Sequence, residues 1–326
     1  METWRSDFSR APTSVELSVH PNNFAGAIYE IGRRELNPAG PKRSVYKLRF
    51  RLPGFQWWTL DRPHLYTLRV KLTCDEGGEP ATDVQDVVFG MRSFVQDTTG
   101  PRKGEFRLNG EPIVLRGTNE MGNLSVPMQH GDREQVIEDL LLGKAAHLNY
   151  WRLTQRPVQS EVYDLCDRLG CLFQTDLPMV AFVRHGCVEE TARQAGEMER
   201  LIRAHPAAAV SSFINEPTPD RRTELIRHRA ADRETLEDFF EVCIRYTRMH
   251  NPDRVIKCVD GDYDPPPRHG MLDQHAYVCW HEDHGLELGK MHKGELFDVK
   301  RGWFCGVGEY GAEGLEPLET MRRHYP

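Results

Sequence analysis

Two glutamates stand in matching contexts, each at the end of an apolar run with the composition of a buried β-strand. Glu216 follows residues 210–215, and Glu309 follows residues 303–308. A carboxylic acid at the end of a buried strand loses contact with water. This raises the pKa of a carboxyl group into the range that a general acid needs near neutral pH. The two residues therefore predict an active site built from a pair of carboxylates.

The chain around these residues alternates between strand and helix patterns from residue 106 onward. Predicted helices begin after the capping residue Asp132, cover 162–169 up to a stop at Gly170, and continue at 189–204, 233–250 and 286–299. Predicted strands fall at 113–117, 148–153, 171–175, 208–214, 254–260, 272–279 and 303–308. Strands joined by helical crossovers pair in parallel, so the predicted fold class is α/β, a (β/α)8 barrel of the TIM type. With seven strands counted, the barrel apparently lacks its last strand.

Residues 1–104 have an all-β pattern instead. Segments 44–52, 65–72 and 84–89 alternate apolar and polar residues with a period of two, as half-buried strands do. Short strands separated by Pro and Gly are typical of a small immunoglobulin-like sandwich, and the irregular segment before residue 44 is compatible with an incomplete one. We therefore predict a sandwich at 1–104 and a catalytic barrel, truncated at its C-terminus, at 105–326.

In a (β/α) barrel the catalytic groups come from the C-terminal ends of different strands. Glu216 follows the fourth predicted strand and Glu309 the seventh, so their side chains can converge across the barrel mouth. Carboxyl groups about 5–5.5 Å apart serve a retaining glycosidase, and groups about 6.5–9.5 Å apart serve an inverting one. The sequence leaves that separation open, and the alternative for either glutamate alone is an exposed loop residue.

Several motifs resemble those of glycoside hydrolase family 2, the group of β-galactosidases, β-glucuronidases and β-mannosidases. They lie within residues 57–311 and follow the family's order. The motifs are Pro63–Leu68, Phe89–Arg92, Phe106–Asn119, Asn149 with Arg152, Tyr163–Gly170, His205–Pro206, Asn215–Pro217 and Gly308–Gly311.

The resemblance implies a retaining β-glycoside hydrolase that works by double displacement through a glycosyl-enzyme intermediate. In that reaction Glu216 protonates the leaving oxygen and Glu309 attacks the anomeric carbon. Asn215 hydrogen-bonds the 2-hydroxyl of the sugar, and Arg152 lies beneath the nucleophile and holds it ionised, with a structural salt bridge as its alternative role. The expected sugar-binding set is completed by Asn119, His275, Tyr277, which also donates to Glu309, and Trp280, which stacks on the sugar.

Two segments depart from the family pattern near the expected sugar pocket. Met121 stands where the family usually has a histidine, and Thr154–Pro157 replaces its usual Ser-His-Tyr-Pro. The resemblance therefore names no particular sugar. An open barrel of seven strands also leaves a second hypothesis, a catalytically silent carbohydrate-binding or scaffolding fragment of a glycosidase. The reason is that two reacting carboxylates must be held to within about 0.5 Å.

Composition argues against several other classes of protein. A net charge of −7 and a pI near 6.1 argue against binding to nucleic acid or to anionic membranes. No apolar stretch approaches the roughly 18–20 residues of a membrane helix, and the polar start lacks a signal-peptide core. We expect a carbohydrate as the partner. The exposed strand edges of an open barrel also predict self-association into a homo-oligomer.

No cofactor motif stands out in the sequence. His275, His281 and His284 with nearby acids match no metal-ligand spacing, so we predict neither a metal nor another cofactor. The eight cysteines are scattered without a CxxC pair. This favours buried free thiols and a reducing, cytoplasmic compartment over a disulfide framework.

Overall fold

The computed structural model describes residues 2–4, 12–36, 43–45, 47–74, 79–181, 183–217, 231–261, 263, 265–279, 305–312 and 318–324. Antiparallel sheets occupy the N-terminal part of the chain, and parallel strands with intervening helices follow. Within these ranges no helix is both long enough and apolar enough to cross a membrane.

The N-terminal part is built around one four-stranded antiparallel sheet. Its strands are β2 (Ser14–Pro21), β3 (Tyr29–Glu35), β5 (Tyr66–Cys74) and β6 (Ala81–Phe89), in the spatial order β3-β2-β5-β6. A separate antiparallel pair is formed by β1 (Glu2–Trp4) and β4 (Arg43–Val45). Val15 and Leu17 of β2 are buried and pack against Val70 of β5, which gives the sheet one apolar face.

Two strand predictions in this part are wrong. Residues 47–52 are irregular, although the predicted strand extends to residue 52, because no neighbouring strand pairs with them. Both β2 and β3 occupy the segment before residue 44 that the prediction leaves irregular. Their signal in the sequence is the spacing of two between Val15, Leu17 and Val19, all of which are buried.

The parallel strands run in chain order. One five-stranded parallel sheet contains β10 (Gly117–Glu120), β11 (Tyr150–Leu153), β12 (Leu172–Asp176), β13 (Ala208–Asn215) and β14 (Val255–Asp260). A second parallel pair contains β15 (Leu272–Cys279) and β16 (Cys305–Ala312). The helices are α1 (Ser125–Gln129), α2 (Arg133–Ala145), α3 (Ser160–Leu169), α4 (Val188–Ile202), α5 (Arg233–His250) and α6 (Leu318–His324).

The first parallel strand begins later than the sequence predicts. A three-stranded antiparallel sheet of β7 (Phe94–Gln96), β8 (Phe106–Leu108) and β9 (Glu111–Ile113) takes the start of the predicted strand 113–117. Between β9 and β10 the chain is held by the Asn149 side chain, which accepts from the N–H of Arg116 at 2.8 Å and donates to the carbonyl of Val114 at 2.9 Å. A side chain thus replaces the strand ladder over these residues.

Two predicted helix ends of the barrel are confirmed, the N-cap at Asp132 and the stop at Gly170. Asp132 accepts from the N–H of Gln135 at 3.1 Å, as an N-cap should, and Gly170 ends α3 in the left-handed conformation with φ 70°. Gly170 also touches the N-terminal part, because a Cβ atom at this position would overlap the carbonyl of Leu60. The Lys144 ammonium donates to that same carbonyl at 2.8 Å, which fixes α2 and α3 against the sandwich side.

Six cysteines are free thiols, namely Cys74, Cys166, Cys171, Cys187, Cys243 and Cys258. Cys166, Cys171, Cys243 and Cys258 are buried, as the sequence predicts, and burial raises the pKa of each thiol. Cys187 is exposed instead, because it lies in the short turn before α4.

Candidate active site

Glu216 is the first residue after β13, a strand that is buried at every position. Its backbone takes the left-handed conformation with φ 46°, and its N–H donates to the carbonyl oxygen of Asp260 at 2.8 Å. A non-glycine residue in a sparsely populated backbone region carries strain of about 1–3 kcal/mol, which the surrounding contacts must offset. The side chain leaves the strand end at this turn and remains 34% exposed.

Glu309 lies inside β16 rather than after its end, which corrects the predicted strand boundary at residue 308. The parallel register pairs Glu309 with His275 of β15, and the ladder continues as far as Ala312. The Glu309 side chain is 12% exposed. Gly308 is required by packing, because a Cβ atom at this position would overlap the carboxylates of Asp260 and Asp273.

The two glutamates come together, Glu216 from just after the end of β13 and Glu309 from within β16. One carboxylate oxygen each from Glu216 and Glu309 and one ring nitrogen of His275 lie within 4.8 Å of one another. Arg152 of β11 donates through Nη1 to Glu309 Oε1, and through Nη2 to Asn215 Oδ1 at 2.6 Å. The buried guanidinium of Arg152 therefore connects Glu309 to Asn215, the residue that precedes Glu216.

Two buried aspartates beside Arg152 are not among the predicted site residues. Asp176 accepts from Arg152 Nε at 3.0 Å, and Asp260 Oδ1 lies 3.3 Å from Arg152 Nη1. Gln174 donates to Asp176 at 2.7 Å and to Asp260 at 2.5 Å, so one amide spaces the two carboxylates. Asp176 and Asp260 are the last residues of their strands, which is the same sequence signal that marks Glu216.

A buried lysine completes the ionic network. Lys257 Nζ donates to Asp260 Oδ1 at 2.7 Å and lies 3.4 Å from Asp273 Oδ2. Lys257 interrupts the apolar run of β14, and a charged residue at such a position must be paired in the folded protein. A lysine inside an otherwise apolar strand is therefore the feature of the sequence that predicts a buried ionic network.

Burial and pairing act in opposite directions on these groups. Burial disfavours the charge on Arg152, but three neighbouring carboxylates outweigh it and raise the pKa of the guanidinium. Burial likewise works to raise the pKa of Asp260, but Lys257 and Arg152 hold it well below its usual range. For Asp273 burial prevails over the attraction of Lys257 and raises the pKa to about 7. Near neutral pH the site therefore keeps Asp260 ionised and Asp273 partly protonated.

His275 packs between the two glutamates, with 1% of its side chain exposed. Its Nδ1 lies 2.7 Å from Glu216 Oε1 and 3.6 Å from Glu309 Oε2. Burial opposes a charge on the ring, but Asp260 and Glu216 outweigh it and raise the pKa of His275 to about 9. The ring meets the two carboxylates directly, and its contact with a sugar stays a prediction.

The other predicted sugar-binding residues are placed less completely. Asn119 is the register partner of Arg152 in the parallel sheet and is half-buried. The backbone of Tyr277 belongs to β15, but its side chain is not described. Trp280 and the predicted helix 286–299 lie outside the described residues. The roles of these residues stay predictions.

The acidic donors of this site also have the chemistry of a cation site. Two groups of donor atoms are close enough, namely Glu216 with His275 and Glu309, and Asp260 with Asp273 and His275. Arg152 already contacts Glu309 and Asp260, and Lys257 contacts Asp260 and Asp273. The arginine and the lysine therefore already balance part of the negative charge of these carboxylates.

Sequence comparison links this chain to one family. The model of the TIM barrel domain of glycosyl hydrolases family 2 matches residues 101–295, and a second glycosyl hydrolases family 2 model matches residues 6–92. Human β-glucuronidase is 25% identical over 286 residues, which cover 81% of this chain and 41% of the human protein. Mouse β-glucuronidase is 26% identical over 279 residues, which cover 79% of this chain and 40% of the mouse protein. The chain thus spans about two fifths of the length of these relatives.

A solved structure shares the fold. The crystal structure of a Bacteroides uniformis β-glucuronidase matches with a TM-score of 0.69 at 18% identity, over 90% of this chain and 35% of that one. The predicted fold class, a TIM-type barrel preceded by an all-β sandwich, is confirmed. Because the barrel model alone covers more than half of its residues, this chain belongs to glycosyl hydrolase family 2.

Proposed function

We propose that this chain is a retaining β-glycoside hydrolase that cleaves O-glycosidic bonds by double displacement. The observation that carries the proposal is the approach of Glu216 to Glu309, with one carboxylate oxygen of each within 4.8 Å of the other. This separation is nearer to the about 5–5.5 Å of retaining enzymes than to the about 6.5–9.5 Å that admits a water in inverting ones. Membership of a glycosidase family supports the same reaction class.

In the first step Glu309 forms a bond to the anomeric carbon while Glu216 gives a proton to the leaving oxygen. The bond between carbon and leaving oxygen breaks, and its electron pair stays with that oxygen. The contact with Arg152 favours Glu309 as the nucleophile, because a neighbouring cation stabilises the ionised carboxylate. The greater exposure of Glu216, 34% against 12%, favours it as the group that the leaving oxygen and water must reach.

In the second step water attacks the anomeric carbon and the ester to Glu309 breaks. Glu216 takes the proton of the attacking water, so both carboxyl groups return to their starting states. Two displacements on opposite faces retain the configuration of the sugar. The side chain of Asn215 accepts a hydrogen bond from Arg152 through its Oδ1. We therefore assign the side-chain nitrogen of Asn215 to the contact with the 2-hydroxyl of the sugar.

The substrate class is a β-glycoside bound at the mouth of the barrel. We place the reaction in a catalytic domain at 105–326, preceded by an immunoglobulin-like domain at 1–104. Because the relatives carry the name β-glucuronidase, an aryl β-glucuronide is the first substrate to test. Asn119, Tyr277 and Trp280 are further proposed sugar contacts.

Replacing Glu216 by glutamine tests its assignment as the acid. We expect kcat/KM on phenyl β-D-glucuronide to fall by about 10²–10⁴-fold, which is the usual contribution of general acid catalysis. The loss on 2,4-dinitrophenyl β-D-glucuronide should be at least tenfold smaller, because this leaving group departs without a proton. The measurement is a Brønsted series of aryl glucuronides with wild type and Glu216→Gln.

The exposed residue Glu138 on α2 provides the matched control, and Glu138→Gln should leave both rates unchanged. Equal losses for all leaving groups in Glu216→Gln would contradict the acid role. A folded wild-type chain that cleaves none of a panel of aryl β-glycosides would instead favour the silent carbohydrate-binding fragment.

A further inference from the structure

His275 is held in one place by contacts on both sides of its ring. Towards the barrel mouth, Nδ1 lies 2.7 Å from Glu216 Oε1 and 3.6 Å from Glu309 Oε2. Towards the interior, Nε2 lies 3.7 Å from Asp260 Oδ1 and 3.6 Å from Asp273 Oδ2. Four carboxylates therefore surround one imidazole.

The fold leaves this ring little room to move. Gly261 has φ +69°, and a Cβ atom at this position would overlap the ring of His275. The parallel register of β15 and β16 sets His275 directly beside Glu309. The backbone at Gly261 and the register of β15 against β16 therefore restrict the His275 ring to its position next to both glutamates.

We propose that His275 is a positioning residue that shares one proton with Glu216, held on His275 Nδ1 in the resting site and passed to Glu216 Oε1 when the leaving oxygen needs it. This inference rests on the proposed function, because it takes Glu216 as the acid of a glycosidase. The 2.7 Å contact between Nδ1 and Oε1 is the path of the transfer.

The proton balance closes over one turnover. The His275 proton moves to Glu216 and then to the leaving oxygen, while Glu309 forms the ester and the ring is left neutral. In the second step the attacking water gives its proton to Glu216, which returns it to His275, and Glu309 leaves as a carboxylate. The net reaction consumes one glycoside and one water, with no proton gained or lost.

The charges facing the ring set the pH range in which the shared proton stays bound. The described groups are Glu216 after β13, Lys257 and Asp260 of β14, Asp273 of β15 itself, Glu309 of β16, and beyond them Arg152 of β11 and Asp176 of β12. Burial lowers the pKa of His275, but its carboxylate partners raise it to about 9. A carboxyl group without such a partner loses its proton near about pH 4.3. The pair therefore keeps the acid supplied with a proton well into the alkaline range.

The pH dependence of kcat/KM separates this role from a structural one. For wild type on phenyl β-D-glucuronide, we expect the alkaline limb near pH 9. In His275→Asn the amide keeps a hydrogen bond to Glu216 but cannot titrate, so the limb should move at least one unit lower. A uniform loss of rate in His275→Asn, with the alkaline limb unmoved, would overturn the inference.

A second measurement needs no substrate. Nuclear magnetic resonance of the full chain with ¹⁵N-labelled histidine follows the ring of His275, identified by its absence in His275→Asn. Its titration midpoint should fall by about one unit or more in Glu216→Gln, because the neutral amide removes a hydrogen-bonded anion. An unchanged midpoint would contradict proton sharing, even if the rates had moved.

The two measurements separate this inference from the proposed function. A wild type that cleaves aryl glycosides, with both the limb and the midpoint unmoved in the variants, refutes the role of His275 alone. A folded wild type without any glycosidase activity refutes the proposed function and with it the catalytic use of the shared proton.

Discussion

Replacing Glu309 by alanine is expected to lower kcat/KM on aryl β-glucuronides by at least about 10⁴-fold, as the loss of a covalent nucleophile does in other enzymes. Among the described residues, Glu309 is grouped within 4.8 Å with Glu216 and His275, and Glu216 is the other carboxylate of this group. Asp260 and Asp176 are buried on Arg152 and Gln174, so neither can take over the ester. The measurement is steady-state turnover of 4-nitrophenyl β-D-glucuronide.

Added azide makes this test more specific, because the configuration of the glycosyl azide shows on which face of the sugar the missing carboxylate acts. In Glu309→Ala azide enters beneath the anomeric carbon and should give the α-glycosyl azide. In Glu216→Ala it attacks the intermediate from the opposite face and should give the β-glycosyl azide. Glu138→Ala on the exposed side of α2 serves as the control. The reverse stereochemistry would exchange the two assigned roles, and a Glu309→Ala rate above a tenth of wild type would refute the nucleophile.

Replacing Arg152 by methionine is expected to destabilise the fold by about 3–5 kcal/mol, the usual cost of leaving buried charges without their partner. The guanidinium is 2% exposed and contacts Asp176, Asp260 and Glu309, and methionine of similar length would neutralise none of them. Activity should fall together with stability, because Glu309 and Asn215 both lose the group that orients them. Urea unfolding of the full chain measures the change.

The deficit of Arg152→Met should depend on pH in a defined direction. In wild type the pKa of Asp260 is depressed, so its ionisation contributes stability above its unfolded pKa of about 3.9, and this contribution is lost as the pH falls through the folded value. Removing Arg152 removes part of that contribution. The difference between wild type and variant should therefore be largest near pH 7 and smallest towards pH 3.

A surface arginine gives the matched control for this prediction. Arg193 pairs with Glu190 and Glu197 on α4, but its side chain is 50% exposed. Arg193→Met should cost less than about 1 kcal/mol, since exposed ion pairs contribute little. Equal losses in Arg152→Met and Arg193→Met would contradict the account of a buried network centred on Arg152.

Local sequence signals predict most of the barrel. The helix at 233–250 is predicted with its observed bounds, since its apolar residues recur at helical spacing, and Gly170 marks the end of α3. The prediction misplaces the first parallel strand, because the start of this strand depends on Asn149. The Asn149 side chain bridges Val114 and Arg116 from a distant position in the chain. Such a contact leaves no periodic pattern in the segment that it holds.

Some residues of the site are likewise predictable from local sequence patterns, and others are not. Glu216 is predictable because a carboxylate follows an apolar strand. The same pattern is present at Asp176 and Asp260, which are also in the site although they are not among the predicted residues. The position of His275 beside Glu216 and Glu309 has no local signal. It depends on the register of β15 against β16 and on the absence of a Cβ at Gly261. Pairing across strands, rather than composition within them, assembles this part of the site.

The most direct test of the central claim is to trap the glycosyl-enzyme. The full chain is incubated with a panel of 2-deoxy-2-fluoro aryl β-glycosides, the glucuronide first, and read by intact mass and peptide mapping. We expect one sugar per chain, attached through an ester to Glu309, with no label in Glu309→Ala. A label on another residue, or none from any sugar on a folded chain, would contradict it.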